Sequence, residues 1–143
     1  MKIMVLLGTR PEIIRLSELI KKINTTNKLI LVHTGQNYDV RLSDLFFEGF
    51  SLPRPDYYLN CAGQNAAQTI ANTITKTDQV LEETNPDAII ILGDTNSALA
   101  AIAAKRRKIP IFHLEAGNRC FDLNVPEEIN RKIVDHISDI NLC

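Results

Sequence analysis

A chain of 143 residues with 45% hydrophobic and 23% charged side chains has the composition of one ordinary globular domain, long enough to remove roughly two-thirds of its unfolded surface from water. Its net charge of −1 argues against a nucleic-acid-binding face, and no stretch approaches the ~18 apolar residues of a membrane span. Three widely spaced cysteines, Cys61, Cys120 and Cys143, without a C-x-x-C pair, argue against a disulfide framework and fit a reducing, cytoplasmic setting.

Lys2–Leu7 is a short hydrophobic run stopped by Gly8, which reads as a buried first strand and lacks the small-residue cleavage site of a signal peptide. Residues 11–23 carry Ile13, Ile14, Leu16, Leu19, Ile20 and Ile23 at helical spacing. Lys28–His33 predicts a second strand, residues 39–47 a second helix, and residues 56–59 a short strand after the turn Pro53-Arg54-Pro55. Residues 64–84 read as a long helix with Ala67, Ile70, Ala71, Ile74, Val80 and Leu81 on its inner face, broken at Asn85-Pro86.

Residues 87–92 form the strongest strand, apolar on both faces as in the centre of a parallel sheet. An Ala-rich helix over 96–107, a strand over 109–114 and a helix over Pro126–Ile137 follow. The basic run Lys105-Arg106-Arg107-Lys108 falls where cations complement a helix C-terminus. Alternating strands and helices predict an α/β, doubly wound, Rossmann-like parallel sheet. Residues 138–143 read as the opening of one more strand, within which the sequence stops, so a fragment is expected.

In such a sheet ligands bind beyond the C-terminal ends of the strands. Polar residues gather there: Gly8-Thr9-Arg10-Pro11-Glu12, His33-Thr34-Gly35-Gln36-Asn37, Gly93-Asp94-Thr95-Asn96 and Glu115-Ala116-Gly117-Asn118-Arg119. The first turn suits an anion at a helix N-terminus with Arg10 beside it, or is a plain turn with a surface Arg. It lacks G-x-G-x-x-G, so a nicotinamide dinucleotide is not indicated, and no cofactor is expected. Asp94 reads either as a helix cap or as an active-site carboxylate. Glu115, ending an apolar strand, is harder to read as a surface residue. Glu127 and Glu128 open a helix, where the dipole alone favours them. Carboxylates converging on one crevice would instead split acid and base roles. The histidines show no metal-ligand spacing and read as structural, and no G-x-S-x-G elbow supports a hydrolase.

The segments Gly8-Thr9-Arg10-Pro11-Glu12-Ile13-Ile14-Arg15, Thr34-Gly35-Gln36, Gly93-Asp94-Thr95, His113-Leu114-Glu115-Ala116-Gly117 and Pro126-Glu127-Glu128-Ile129-Asn130-Arg131, in that order, resemble the non-hydrolysing UDP-N-acetylglucosamine 2-epimerases. Residues 115–122 and 125–136 are most similar to the branch making UDP-N-acetyl-L-fucosamine for capsule or O-antigen. The resemblance implies one half of a glycosyltransferase-B-like, two-domain fold, with residues 1–143 as its N-terminal domain, truncated before a UDP-binding domain that supplies a catalytic His. It implies a UDP-N-acetylhexosamine substrate and elimination of UDP followed by re-addition. Asp94, Glu115 and Glu127 map onto the catalytic carboxylates, Arg10 onto a phosphate contact, and Arg15, Gln36 and Arg119 onto substrate-binding positions. Arg15 stands where many members have Lys, which keeps the charge but changes its geometry. The resemblance implies that full-length relatives are homodimers, and a separately encoded C-terminal half is the partner expected for a split protein. A remnant of a disrupted gene, or a glycosyltransferase-like half, is the alternative reading.

Overall fold

The computed structural model describes residues 1–35 and 40–143, and the side chains of all of these except 40–43. Among the described residues six parallel strands form one sheet: β1 (Lys2–Leu7), β2 (Lys28–His33), β3 (Tyr57–Tyr58), β4 (Ala88–Leu92), β5 (Ile111–Leu114) and β6 (Ile140–Leu142). Their spatial order is β3-β2-β1-β4-β5-β6, that of the doubly wound, Rossmann-like fold. The helices are α1 (Arg10–Thr26), α2 (Val40–Gly49), α3 (Ala66–Thr84), α4 (Ala101–Arg106) and α5 (Pro126–Ile137), with a 3-10 turn over Asn96–Ala100.

Alternation along the strands splits the core in two. Met4 and Leu6 of β1 and Ile89 and Ile91 of β4 pack with Val80 and Leu81 of α3, the 96–104 segment and Val134 of α5. Val5 and Leu7, with Ile90 and Leu92, face the other way onto Ile13, Leu16 and Ile20 of α1 and Phe47 of α2. Every residue of β4 is buried, as its unbroken apolar run requires of a strand covered on both faces.

Four expectations shift. The short strand contracts to Tyr57–Tyr58, and β5 begins at Ile111, two residues later than the apolar run suggests. On α3, Val80 and Leu81 are buried and Ile70 and Ile74 half-buried, but Ala67 and Ala71 are exposed, and Thr73 and Thr77 face the core instead. Threonine tolerates this because its hydroxyl can bond back within the helix, as Thr73 does to the Thr69 carbonyl at 2.8 Å, leaving a methyl to pack. The Ala-rich segment opens as a 3-10 turn before α4, and Ser97 in that turn reaches the Thr34 hydroxyl at the end of β2, 2.6 Å away.

The basic run is engaged locally: Arg107 pairs with Asp78, and Lys105 with Asp139 at 2.6 Å. Among the described residues no helix is long and apolar enough to cross a membrane. At the start of α3 the Asn65 side chain accepts the Gln68 N–H at 2.8 Å. Asn65→Ala is therefore expected to cost about 1 kcal/mol in urea-unfolding free energy, with the native circular dichroism spectrum retained.

Candidate functional site

Strand order reverses between β1 and β4, and a crevice opens there beyond their C-terminal ends. A cleft of about 220 Å³ occupies this point, walled by Thr9, Glu12 and Arg15 on one side, by Gly93, Asp94 and Thr95 on the other, and by Glu115. A larger cavity, about 500 Å³, lies at the opposite end of the sheet around Lys2, Lys28 and Tyr57. Its Lys2 ammonium is already engaged by the Thr84 carbonyl and its Tyr57 hydroxyl by Glu83. The chemistry-bearing groups converge on the smaller cleft.

The β1–α1 turn is built by Glu12. Its carboxylate, 5% exposed, accepts the N–H groups of Gly8 and Thr9 and the Thr95 hydroxyl at 2.7 Å, tying the first helix to the loop after β4. Burial raises its pKa, against the opposing pull of these hydrogen bonds. The spacing Thr9-x-x-Glu12 is the sequence signal for this arrangement, because a Glu three residues after an N-cap reaches back to the turn.

Glu115 ends β5 with a left-handed backbone, φ +60°, a conformation a non-glycine residue holds only where its surroundings impose it. The Arg15 guanidinium meets its two carboxylate oxygens at 2.8 and 2.7 Å. A methyl group at Gly93 would come within 3.9 Å of that carboxylate, and Gly93 itself has φ +68°. Asp94 follows immediately; its Oδ2 accepts Arg131 Nε at 2.6 Å, and its carbonyl accepts the Asn130 side chain at 2.9 Å. The cap reading of Asp94 thus gives way to an ion pair with α5.

Asp94, Glu115 and Arg15 come together in the cleft. Glu127 does not line it: it is exposed in the first turn of α5, while the next residue, Glu128, is fully buried. Arg10 is exposed at the start of α1, its guanidinium 6.0 Å from the centre of the Phe46 ring. Arg119 reaches Asp135 of α5 at 2.6 Å. Gln36 lies outside the described residues. His113, buried in β5, holds the Gly93 carbonyl at 2.7 Å through Nε2 and approaches Asp135 at 2.8 Å through Nδ1, bracing the turn that carries Asp94. His33 is buried between Phe47 and Tyr58, and burial pushes its pKa down to about 4. Sequence reasoning named Glu12 only as a member of a motif, read Glu128 as a first-turn acid favoured by the helix dipole, and passed over Asn130, Arg131 and His113 as site-shaping residues.

The family model described as UDP-N-acetylglucosamine 2-epimerase matches residues 21–143. The chain belongs to this family. The UDP-N-acetylglucosamine 2-epimerase of Rickettsia bellii superposes with a TM-score of 0.91 at 58% identity, over 99% of this chain and 38% of that one. The Methanocaldococcus jannaschii UDP-N-acetylglucosamine 2-epimerase is 43% identical over 96% of this chain and 38% of its own length. The UDP-2,3-diacetamido-2,3-dideoxy-D-glucuronate 2-epimerase of Pseudomonas aeruginosa is 41% identical over 100% of this chain and 41% of its own. The chain therefore spans about two-fifths of the length of these epimerase relatives. Within the matched region fall Asp94, Glu115 and the whole of α5, whereas Glu12 and Arg15 precede it.

Proposed function

We propose that this chain supplies the N-terminal, carboxylate-bearing half of a UDP-N-acetylhexosamine 2-epimerase. The observation that carries the reading is the placing of Asp94 and Glu115 at the ends of two neighbouring parallel strands, in the switch-point cleft and beside Arg15. The proton at C2 of a nucleotide sugar is not acidic, so direct deprotonation is slow. Elimination avoids that barrier. A carboxylate takes the C2 proton, its electron pair forms the C1–C2 double bond, and the C1–O bond breaks to release UDP. Return of a proton to the opposite face of C2, with UDP re-forming the bond at C1, gives the inverted sugar. Asp94, Glu115 and Glu127 are assigned to these proton transfers, and Arg10, Arg15, Gln36 and Arg119 to substrate. Two carboxylates in unlike surroundings suit unlike duties: Glu115 is half-exposed and paired with Arg15, Asp94 more enclosed and paired with Arg131.

The relatives named above act on sugars that differ away from C2, so the shared step is the inversion. For this chain the 115–122 and 125–136 segments favour a 6-deoxy sugar of the UDP-N-acetyl-L-fucosamine branch, in surface-polysaccharide precursor synthesis in the cytoplasm. A second Rossmann-like half, contributing most of the UDP contacts and a histidine, completes the site in this reading, and the completed protein is a homodimer. Nucleotide binding energy drives elimination at the sugar only when both halves hold the substrate.

The test is incubation with UDP-N-acetylglucosamine and with UDP-N-acetyl-L-fucosamine in deuterated water, using the 143-residue chain alone and together with a C-terminal half. The chain alone is expected to give no C2 inversion, and the pair to give inversion with deuterium at C2. Inversion by the chain alone would contradict the need for a second half. No inversion by the pair on either sugar would favour the disrupted-gene remnant, and sugar transfer without inversion the glycosyltransferase-like half.

A further inference from the structure

The α5 motif Glu128-Ile129-Asn130-Arg131 does more than open a helix. Glu128 is completely buried, yet Ile129 beside it is 47% exposed. Burying a carboxylate costs free energy unless charged and polar partners surround it, and an apolar side chain of similar size would pack there without that cost. Glu128 has such partners: it accepts the Cys120 N–H at 3.0 Å and Arg131 Nη1 at 3.1 Å, and the Lys132 ammonium lies 3.8 Å away. Arg131 then spans the gap to the cleft, donating Nε to Asp94 at 2.6 Å. Asn130 grips the same loop through the Asp94 carbonyl at 2.9 Å and the Asn96 side chain at 3.2 Å.

We propose that Glu128 is a positioning residue: it anchors the Arg131 guanidinium, and Arg131 in turn fixes the carboxylate of Asp94 in the cleft. The inference rests on the reading of Asp94 as a group that acts on the sugar. An arginine held at one nitrogen keeps several rotamers, whereas one held at both Nη1 and Nε has its planar fork locked. Locking Arg131 therefore locks the orientation of its second partner. The competing account is that Glu128 only ties the 120s loop to α5 through Cys120.

The two accounts separate in the side-chain NMR spectrum of the 143-residue chain, without substrate. The Arg131 Nε–H is expected to exchange slowly with water, and Asp94→Asn to release it. Glu128→Gln keeps an oxygen for the Cys120 N–H but loses the charge that holds Arg131. It is expected to speed Arg131 Nε–H exchange by about tenfold, the scale of one charge-assisted hydrogen bond, with the Cys120 amide resonance unmoved. Exchange within about twofold of the parent chain, well below that scale, would overturn the proposal. Should Glu128→Gln fail to fold, Arg131→Lys decides: a lysine cannot bridge both carboxylates, so the Asp94 carboxyl carbon resonance must shift, and an unmoved resonance overturns the proposal equally. In the enzyme completed with its second half, Glu128→Gln is expected to lower kcat by about 10–100-fold with KM nearly unchanged and partial recovery in Glu128→Asp; an unchanged kcat counts against the relay. An inactive completed parent enzyme would sink the functional reading instead, leaving the NMR result to judge the relay alone.

Discussion

Replacing Glu115 with Gln is expected to lower epimerisation by the completed enzyme by roughly 10²–10⁴-fold, the usual loss on removing a general acid or base, while the melting temperature hardly moves. The asymmetry follows from the surroundings of Glu115. Its pair with Arg15 joins side chains that are 37% and 57% exposed, respectively, and a solvent-exposed pair of this kind contributes about 0–1 kcal/mol. Gln has the same volume and still accepts a hydrogen bond from Arg15, so the fold loses little. What it cannot do is carry a proton at the strand end. Asp94→Asn should behave alike in turnover but cost somewhat more stability, because it removes one of the two carboxylates, Asp94 and Glu128, that pair with the less exposed Arg131. Glu127→Gln is the discriminating companion. If Glu127 reacts with the sugar, turnover falls as for Glu115. If it is only an exposed first-turn acid, the change costs about 0.3–1 kcal/mol of dipole stabilisation and turnover is kept. Measured kcat for the three variants beside their melting temperatures makes the distinction, and near-normal turnover in Glu115→Gln would remove Glu115 from the mechanism.

How much of this could be read from the sequence depended on whether the determinant was local. The run Ala88–Leu92 is apolar at every position, and only a strand covered on both faces has that need, so its central place in the sheet was legible. The turn Gly8-Thr9-Arg10-Pro11 was equally plain, since threonine suits the cap and proline the first turn of the helix that follows. The doubly wound arrangement followed from the alternation of such runs. By contrast, the pairing of Arg15 with Glu115 joins residues 100 positions apart, and no periodicity encodes it. Helix α3 misled because periodicity counts only apolar residues, whereas Thr73 and Thr77 bury their methyl groups.

Helix α5 shows the same limit more sharply. A dipole argument treats Glu127 and Glu128 alike, and apolar spacing would turn Ile129 inward. The fold instead buries Glu128 and exposes Ile129. Such a conflict between local preference and tertiary packing is characteristic of places where function rather than stability selects the residue, and here it falls on the helix that holds Asp94.

Glu12 gives the clearest stability experiment, because its two natural substitutions should diverge. Both peptide N–H groups of the turn converge on Oε2 and the Thr95 hydroxyl meets Oε1. Glu12→Ala strands the Gly8 and Thr9 N–H groups and takes one partner from the Thr95 hydroxyl, and is expected to cost about 2–4 kcal/mol in unfolding free energy, at about 1–3 kcal/mol per group left unsatisfied and with some rehydration of the opened site. Glu12→Gln preserves the geometry: its oxygen serves the two N–H groups, and its amide donates to Thr95, whose hydroxyl accepts instead. It should therefore stay near the parent stability. The pH dependence separates the two chains further. Burial raises the Glu12 carboxyl above its ordinary 4.5, so the folded chain keeps this proton at pH values where the unfolded chain has released it. Stability from this group is full below 4.5 and declines as pH rises through the folded value. Asp78, Asp139 and Glu128, whose partners hold their carboxyls low, act in the opposite sense, losing stability as pH falls. They are common to both chains and cancel in the difference. Urea unfolding of parent and Glu12→Gln should thus show the variant gaining relative stability from about pH 4.5 upward. A difference that stays flat with pH would mean that Glu12 titrates as it does in the unfolded chain, and that its burial carries no electrostatic cost.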